Sequence, residues 1–418
     1  MTEPTLDEAQ ELGADPAQRS YAAGAMVQIG QVARATEQDD RIELLGMNMD
    51  ELKQFAVDVL EEKPFRGKQL FKWIYGKRET DFDVMTDMSK VVRAKLKRVA
   101  KIGRLNPSEV HHSADGTIKF LWELRDGLKV ESVLIPEVRR LTLCISTQVG
   151  CAMGCDFCVT AKGGFTRNLD KSEILGQIVQ AQDYAEEGRR ISNIVLMGMG
   201  EPLLNLDNVI DSMETAQAED GLGLSHRKIT LSTIGLIPQL EELGKRSRIN
   251  LAVSLHGTTN ENRSAIMPIN DKYDIEQLVA ALKKFPLPTR KQITIEYILL
   301  RGINDDVDDA HRLANLLRGV KSKVNLIPYN DNPFTQYKRP RDKDILAYQE
   351  VLMGYGIHTV TRLNRGGDIA AACGQLGGYE QQHPRKRKRM EMALAAAAKT
   401  QSQGQAEANA GASPNKEQ

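Results

Sequence analysis

Cys151, Cys155 and Cys158 fall in a C-x3-C-x2-C spacing on the short stretch Cys151-Ala152-Met153-Gly154-Cys155-Asp156-Phe157-Cys158. A glycine-containing loop can turn three thiolates toward one point, which is how iron–sulfur clusters are held. The usual all-thiolate cluster takes four cysteines, and no fourth lies nearby. Three thiolates on a four-iron cube leave one iron with an open position where a substrate can bind. A structural zinc site is the plainer alternative. It calls for four protein ligands, commonly with a second Cys or His pair downstream. Neither a pair nor a His lies near this loop.

A strand must deliver that loop, and Leu141 to Ser146 reads as one. From there strand-like and helical stretches alternate. Strands are expected at Asn193–Met197, Lys228–Ser232, Asn250–Leu255, Gln292–Leu299 and Lys323–Ile327, with helices at 171–187, 206–217, 237–245, 275–284 and 307–317. A last helix at 344–353 precedes an extended run to Arg362. Repeated βα units predict a parallel sheet, and six of them fit an α/β fold with a partial, TIM-like (β/α)6 barrel. Other polar residues then fall just past strand ends: Gly200 and Glu201 in Gly198-Met199-Gly200-Glu201-Pro202, Ser232, the run Ser254-Leu255-His256, and Asn330. Singly, each is more often a satisfied polar residue than a ligand. Their shared register in successive units gives them weight.

Before the barrel, residues 1–45 are polar, Ala-rich and aperiodic, and are read as a disordered extension. A helical unit over 46–104 follows, opened by an Asn48 N-cap signal. It mixes cations with Phe71, Trp73 and Tyr75. Such a mixture suits either core aromatics with a solvated basic face or an RNA-contacting surface. A β-hairpin extension over 105–140 has strands at 118–124 and 128–135, with turn dipeptides Asp115-Gly116 and Asp126-Gly127. Glu131 lies among apolar residues in the second strand, and by residue type alone it faces water. The barrel core is placed at 141–378. Residues 379–418 are a basic run, Arg385 to Arg389, and then a low-complexity disordered tail.

The 418 residues carry 56 basic and 56 acidic side chains, so net charge does not announce a nucleic-acid partner. No apolar run approaches the ~20 residues of a membrane span, and the beginning lacks a signal pattern. A cytoplasmic location is expected. The five cysteines suit a reducing compartment.

With Phe157 before its last cysteine, the loop resembles that of the radical S-adenosylmethionine (SAM) superfamily. The resemblance implies a [4Fe-4S] cluster whose open iron chelates SAM and cleaves it to a 5′-deoxyadenosyl radical. It also implies that the strand-end residues above bind SAM. Three further phrases narrow it: Leu143 to Cys151, Gly163 to Leu169, and Arg365-Gly366-Gly367-Asp368-Ile369-Ala370-Ala371-Ala372-Cys373-Gly374-Gln375-Leu376. Together these are similar to the RlmN family of RNA methyltransferases over roughly residues 48 to 380. That family methylates carbon 2 of an adenosine in 23S rRNA and of an adenosine in some tRNAs.

The resemblance assigns Cys373 as carrier of a methyl taken from one SAM. Cys144 then resolves an RNA-linked intermediate by forming a disulfide with Cys373, and Glu131 accepts the proton at carbon 2. An electron donor such as flavodoxin is implied, and nothing demands more than a monomer. The sister activity at carbon 8 of the same adenosine uses the same motifs. A non-enzymatic RNA-binding factor with a structural cluster, and a radical enzyme for a small molecule, are the other readings.

Overall fold

The computed structural model describes residues 39–332 and 334–377. The basic tail and most of the N-terminal extension lie outside them. The extension nevertheless ends earlier than expected. β1 (Ile42–Glu43) pairs in parallel with β2 (Ala100–Lys101), and Leu44 and Leu45 beyond it are buried.

The helical unit follows its local signals. Asn48 closes a capping box with Glu51 at the head of α1 (Met49–Asp58). α2 (Phe65–Phe71) opens after Pro64 and widens into a π turn over Lys72–Gly76. Ser89 caps α3 (Lys90–Val99). Phe71, Trp73 and Tyr75 are all buried. Trp73 Nε1 donates to Asp87 Oδ1 at 2.6 Å, and the Tyr75 hydroxyl donates to Met47 O while accepting from Gly46 N, both at 2.9 Å. These rings are core, so base stacking on them is excluded.

Next come three antiparallel strands, β3 (Asn106–His112), β4 (Ile118–Glu123) and β5 (Lys129–Glu137). Gly116 and Gly127 sit at φ 83° and 78° in their turns, as the Asp-Gly dipeptides require. β3 had no alternating apolar pattern to announce it. β5 pairs antiparallel with β6 (Arg140–Cys144), whose other edge begins the parallel run. After β6 the chain makes a hairpin, β7 (Gln148–Gly150) and β8 (Phe165–Asn168), with the short α4 (Val159–Lys162) in its loop.

The alternation then runs α5 (Lys171–Ala181), β9 (Asn193–Leu196), α6 (Leu206–Gln217), β10 (Ile229–Thr233), α7 (Ile237–Arg246), β11 (Asn250–Ser254), α8 (Asn260–Ile266), α9 (Ile275–Lys284), β12 (Ile293–Leu299), α10 (Val307–Leu316), β13 (Ser322–Pro328), α11 (Asp342–Gly354) and β14 (Thr359–Thr361). Strand order is β14-β13-β12-β11-β10-β9-β6-β5-β4-β3, a single ten-stranded sheet. Six parallel strands, β6 and β9 to β13, form the barrel wall, and β14 adds a short seventh. The two ends of the sheet, β14 and β3, do not pair, so the barrel stays open. Its strands bury Ile194, Leu231, Val253, Ile295 and Leu326, as expected for a sheet covered by helices. Among the described residues no helix is long and apolar enough to cross a membrane.

Candidate active site

All parallel strands end on the same side, and the cysteine loop closes over that end. Gly150, at φ 75°, forms its neck, where a Cβ would lie 1.9 Å from Gly164 O. Cys151 N donates to Gly164 O at 2.9 Å, and Cys158 N to Cys155 O at 3.1 Å. The middle of the loop is pinned from the barrel, with Asp156 N donating to Ile266 O at 2.9 Å and Tyr337 donating to Asp156 Oδ2 at 2.7 Å. Phe157 meets His256 edge-on at 5.1 Å.

The three thiols line one cavity of about 160 Å³. Burial pushes Cys151 up to about 12 and raises Cys155 and Cys158 as well. A cationic centre is what turns such thiols into thiolates. Among the described residues no three Cys, His, Asp or Glu side chains converge as ligands of one metal ion. Thiols spread around a cavity suit a multi-iron cluster better than a single tetrahedral zinc. The donor set therefore fits a cluster.

Gly200, Glu201, Ser232, Ser254 and His256 line the same cavity. Gly200 stands at φ 105°, with its missing Cβ only 2.6 Å from Gln148 Cβ. Gln148 Oε1 in turn accepts from Glu201 N at 2.8 Å. The Glu201 carboxylate accepts from Leu203 N and Ile234 N, both at 3.0 Å. Burial pushes it up to about 7 against those donors. His256, at φ 56°, accepts from Ile298 N on Nδ1 at 3.0 Å. Burial holds its imidazole down to about 3, so it is neutral and carries its hydrogen on Nε2. Leu255 is core, and it meets this region through its main chain, which bonds Glu296 O. Asn330 lines an adjoining cavity of about 120 Å³ that shares Ile327, Arg362 and Cys373 with the first.

Cys373 lines both cavities. Its segment is stitched down at several points. Asp368 accepts from Ser113 Oγ at 2.6 Å and Ala114 N at 3.1 Å, and Asp115 Oδ2 accepts from Gly366 N at 3.0 Å. Val159 N donates to Gly374 O at 2.8 Å, and Thr160 Oγ1 to Leu376 O at 2.7 Å. The tip of the β3–β4 hairpin thus holds one end and the cysteine loop the other. Cys144 ends β6, buried, with Val133 and Val195 as sheet neighbours. Burial pushes its thiol up to about 12, the Cys373 thiol adding to this and Arg362 opposing it. All five cysteines are free thiols, so the expected Cys144–Cys373 disulfide is not formed here.

Glu131 does not face water. It is buried, with Oε2 accepting from Gly377 N at 2.7 Å and Oε1 paired with Lys119 at 3.5 Å. A buried carboxylate needs such partners. Both faces of β5 are covered from Val130 to Ile135, which is why alternation could not orient Glu131. Sequence reasoning also passed over Arg362, Glu296 and the Ser113–Asp368 clamp. Arg362 could have been found, since it ends the last extended run just as Ser232 and Ser254 fall near the ends of theirs. Asp368 gave no such signal.

An open parallel barrel with a three-cysteine loop over its strand ends defines the class. Residues 145–314 match the model of the radical SAM superfamily. The solved radical SAM methyltransferase from Sphaerobacter thermophilus superposes with a TM-score of 0.77 at 38% identity, covering 81% of this chain and 99% of that one. Residues 42–102 match the ribosomal RNA large subunit methyltransferase N-terminal domain. The dual-specificity RNA methyltransferases RlmN of Syntrophotalea carbinolica and Geobacter sulfurreducens are each 48% identical. They align over 82% and 81% of this chain and 91% and 93% of their own lengths. The chain belongs to the RlmN family.

Proposed function

We propose that this protein methylates carbon 2 of adenosine in RNA by way of a methyl group carried on Cys373. The observation that carries the proposal is that Cys373 lines the cavity of the three loop cysteines, while Cys144 ends the strand paired with β9, whose Leu196 lines that same cavity. Carbon 2 of adenine is an electron-poor amidine carbon and does not attack a sulfonium methyl, so the methyl must pass through an intermediary. A [4Fe-4S] cluster held by Cys151, Cys155 and Cys158 would supply the electron that cleaves SAM. Gly200, Glu201, Ser232, Ser254 and His256 would hold that SAM, with Asn330 at the margin.

The chain's own groups divide the remaining work. Cys373 sulfur takes a methyl by displacement and presents that carbon to the base. The chemistry supplied by SAM cleavage at the cluster would remove one hydrogen from the methyl and take back one electron, so that the new carbon–carbon bond leaves protein and RNA joined by a thioether. Glu131 is the proton acceptor for the hydrogen on carbon 2. Its bond to Gly377 N ties it to the carrier segment. Cys144 then attacks the Cys373 sulfur, and a transient disulfide between the two releases the methylated base. The disulfide belongs to this step and not to the resting protein. The proposed substrates are the adenosine in the peptidyl-transferase centre of 23S rRNA and the adenosine just 3′ of the anticodon in tRNA. Each base must be extruded to reach the strand ends. A cytoplasmic location and a one-electron donor such as flavodoxin accompany this reading.

The test is anaerobic incubation of the reconstituted protein with SAM, a reductant and an unmodified rRNA fragment or tRNA, followed by nucleoside mass spectrometry. 2-Methyladenosine is expected. 8-Methyladenosine would keep the carrier and resolver but overturn the site of attack. No methylated nucleoside in either RNA, despite active SAM cleavage, would overturn the substrate class.

A further inference from the structure

Two charged side chains at the site, Glu296 and Arg362, have no part in the scheme above. Arg362 follows β14, and its N donates to Leu326 O at 2.8 Å, continuing the pairing with β13. Thr361 bonds Gln349 of the outer helix α11 at 2.8 Å. Arg362, next in the strand, points the other way, into the barrel. It lines the cavity of the cysteine loop, the adjoining cavity of Asn330, and a third of about 430 Å³ among Thr142, Thr230, Thr294 and Asn325. Among the described residues no other lines all three. Negative charge on Cys373, Glu296, Cys144 or Glu137 would favour its charged form, although burial opposes it. Glu296 is buried on β12 and accepts from Asn325 Nδ2 at 2.7 Å.

We propose that Arg362 is a positioning residue for resolution: it lines both cavities of Cys373 and a third lined by Val195, the register partner of Cys144, and from there its guanidinium stabilises the negative charge on Cys144 as it attacks the thioether. This rests on the reading of Cys144 as resolver. The step it serves is balanced without a further reagent. The Cys144 sulfur forms a bond to the Cys373 sulfur, and the bond from that sulfur to the exocyclic carbon breaks. The electron pair leaves on that carbon, which takes up a proton equivalent to the one lost by the Cys144 thiol. A thiol buried between Val133 and Val195 is poorly solvated as an anion, so a fixed cation favours the attack. Arginine suits the place because it stays charged when half-buried and can span two sulfurs. Glu296 lines the first and third of these cavities as well and supplies an opposite charge to the same interior.

The experiment uses the full-length, cluster-loaded protein as Arg362→Met, Arg362→Lys and Cys144→Ala, with SAM, reductant and tRNA. RNA-linked protein is read on denaturing gels and S-methylation of Cys373 by peptide mass spectrometry. In Arg362→Met, Cys373 is expected to be methylated as in the parent. RNA-linked protein should accumulate as it does in Cys144→Ala, with release slowed at least tenfold. Arg362→Lys should recover most of the release. Combining Arg362→Met with Cys144→Ala should trap no more RNA than Cys144→Ala alone. If Cys144→Ala traps RNA and Arg362→Met does not, the role of Arg362 is overturned and the resolver stands. If neither traps RNA while methylation continues, the resolver reading itself falls. Loss of Cys373 methylation in Arg362→Met, with the cluster retained, would place Arg362 at the first methyl transfer instead. Should Arg362→Met lose the cluster, Arg362→Gln takes its place under the same criteria.

Discussion

The cysteine loop and the carrier segment face each other across one cavity, yet they are built in opposite ways. The loop closes its two ends locally, with a glycine neck and bonds between Cys151 and Gly164 and between Cys155 and Cys158, and takes only its middle from the barrel at Asp156. The segment from Gly366 to Gly377 has only a single 3-10 turn of its own, Gly367–Ile369. Its shape is imposed by the hairpin tip, the cysteine loop and Glu131. A motif whose chemistry is fixed early can be local. The nucleophile proposed to receive a methyl and then turn to another partner is held by several separate bonds, each of modest strength.

That contrast can be broken most severely at the loop. Cys151→Ala should abolish both iron–sulfur absorbance and SAM cleavage, while far-ultraviolet circular dichroism stays at the parent level. Gly150→Ala forces a left-handed residue against Gly164 O, so a loss of about 3 kcal/mol in denaturant unfolding is expected, with poor cluster retention. The carrier segment should respond differently. Asp368→Ala removes two hydrogen bonds at an exposed carboxylate and should slow Cys373 methylation roughly threefold to tenfold with iron content unchanged. An equal loss of iron would erase the distinction between the two regions. Away from both, Tyr75→Phe should cost about 1–2 kcal/mol of stability and leave SAM cleavage untouched, because it loosens only the helical unit.

The smallest effect concerns acid. Burial acts against the Asp115 charge, but hydrogen bonds from Thr117, Gly366 and Ser113 prevail and hold the carboxyl at about 2. A carboxyl depressed in the folded state contributes stability above its unfolded value of about 3.9, lost only as pH falls through the folded one. Hydrogen exchange at Gly366 N should therefore keep its protection factor from pH 7 to pH 4. A loss of protection near pH 5 would mean that another group controls the clamp.

What the sequence disclosed follows the same division. Spacing alone picked out Cys151, Cys155 and Cys158, and βα alternation gave the barrel and put Ser232, Ser254 and Glu201 near strand ends. β3 stayed hidden because its residues are mostly exposed and break any alternation. The aromatic trio was misleading as a possible stacking surface, since Phe71, Trp73 and Tyr75 are spaced to pack inward around the π turn. Glu131 was read as solvent-facing because a strand buried on both faces has no polar side to betray its orientation. Cys144 and Cys373 became meaningful through family likeness. Distance along the chain hides which residues the folded sheet brings to one cavity, as it does for Cys373 and Arg362 beside the loop cysteines.

The unclosed barrel carries a cost at its far edge. A sheet with two free ends invites another copy to pair along its exposed N–H and C=O groups. At one end β14 is only three residues long, too short to template much pairing. The opposite edge, β3, is seven residues long and is guarded instead by composition. Pro107 removes a donor, the register slips between Pro107 and Glu109, and Glu109, His111 and His112 line the strand with polar groups. Replacing Pro107 and Glu109 with valine would leave the chemistry intact and make concentrated solutions prone to edge-to-edge aggregation.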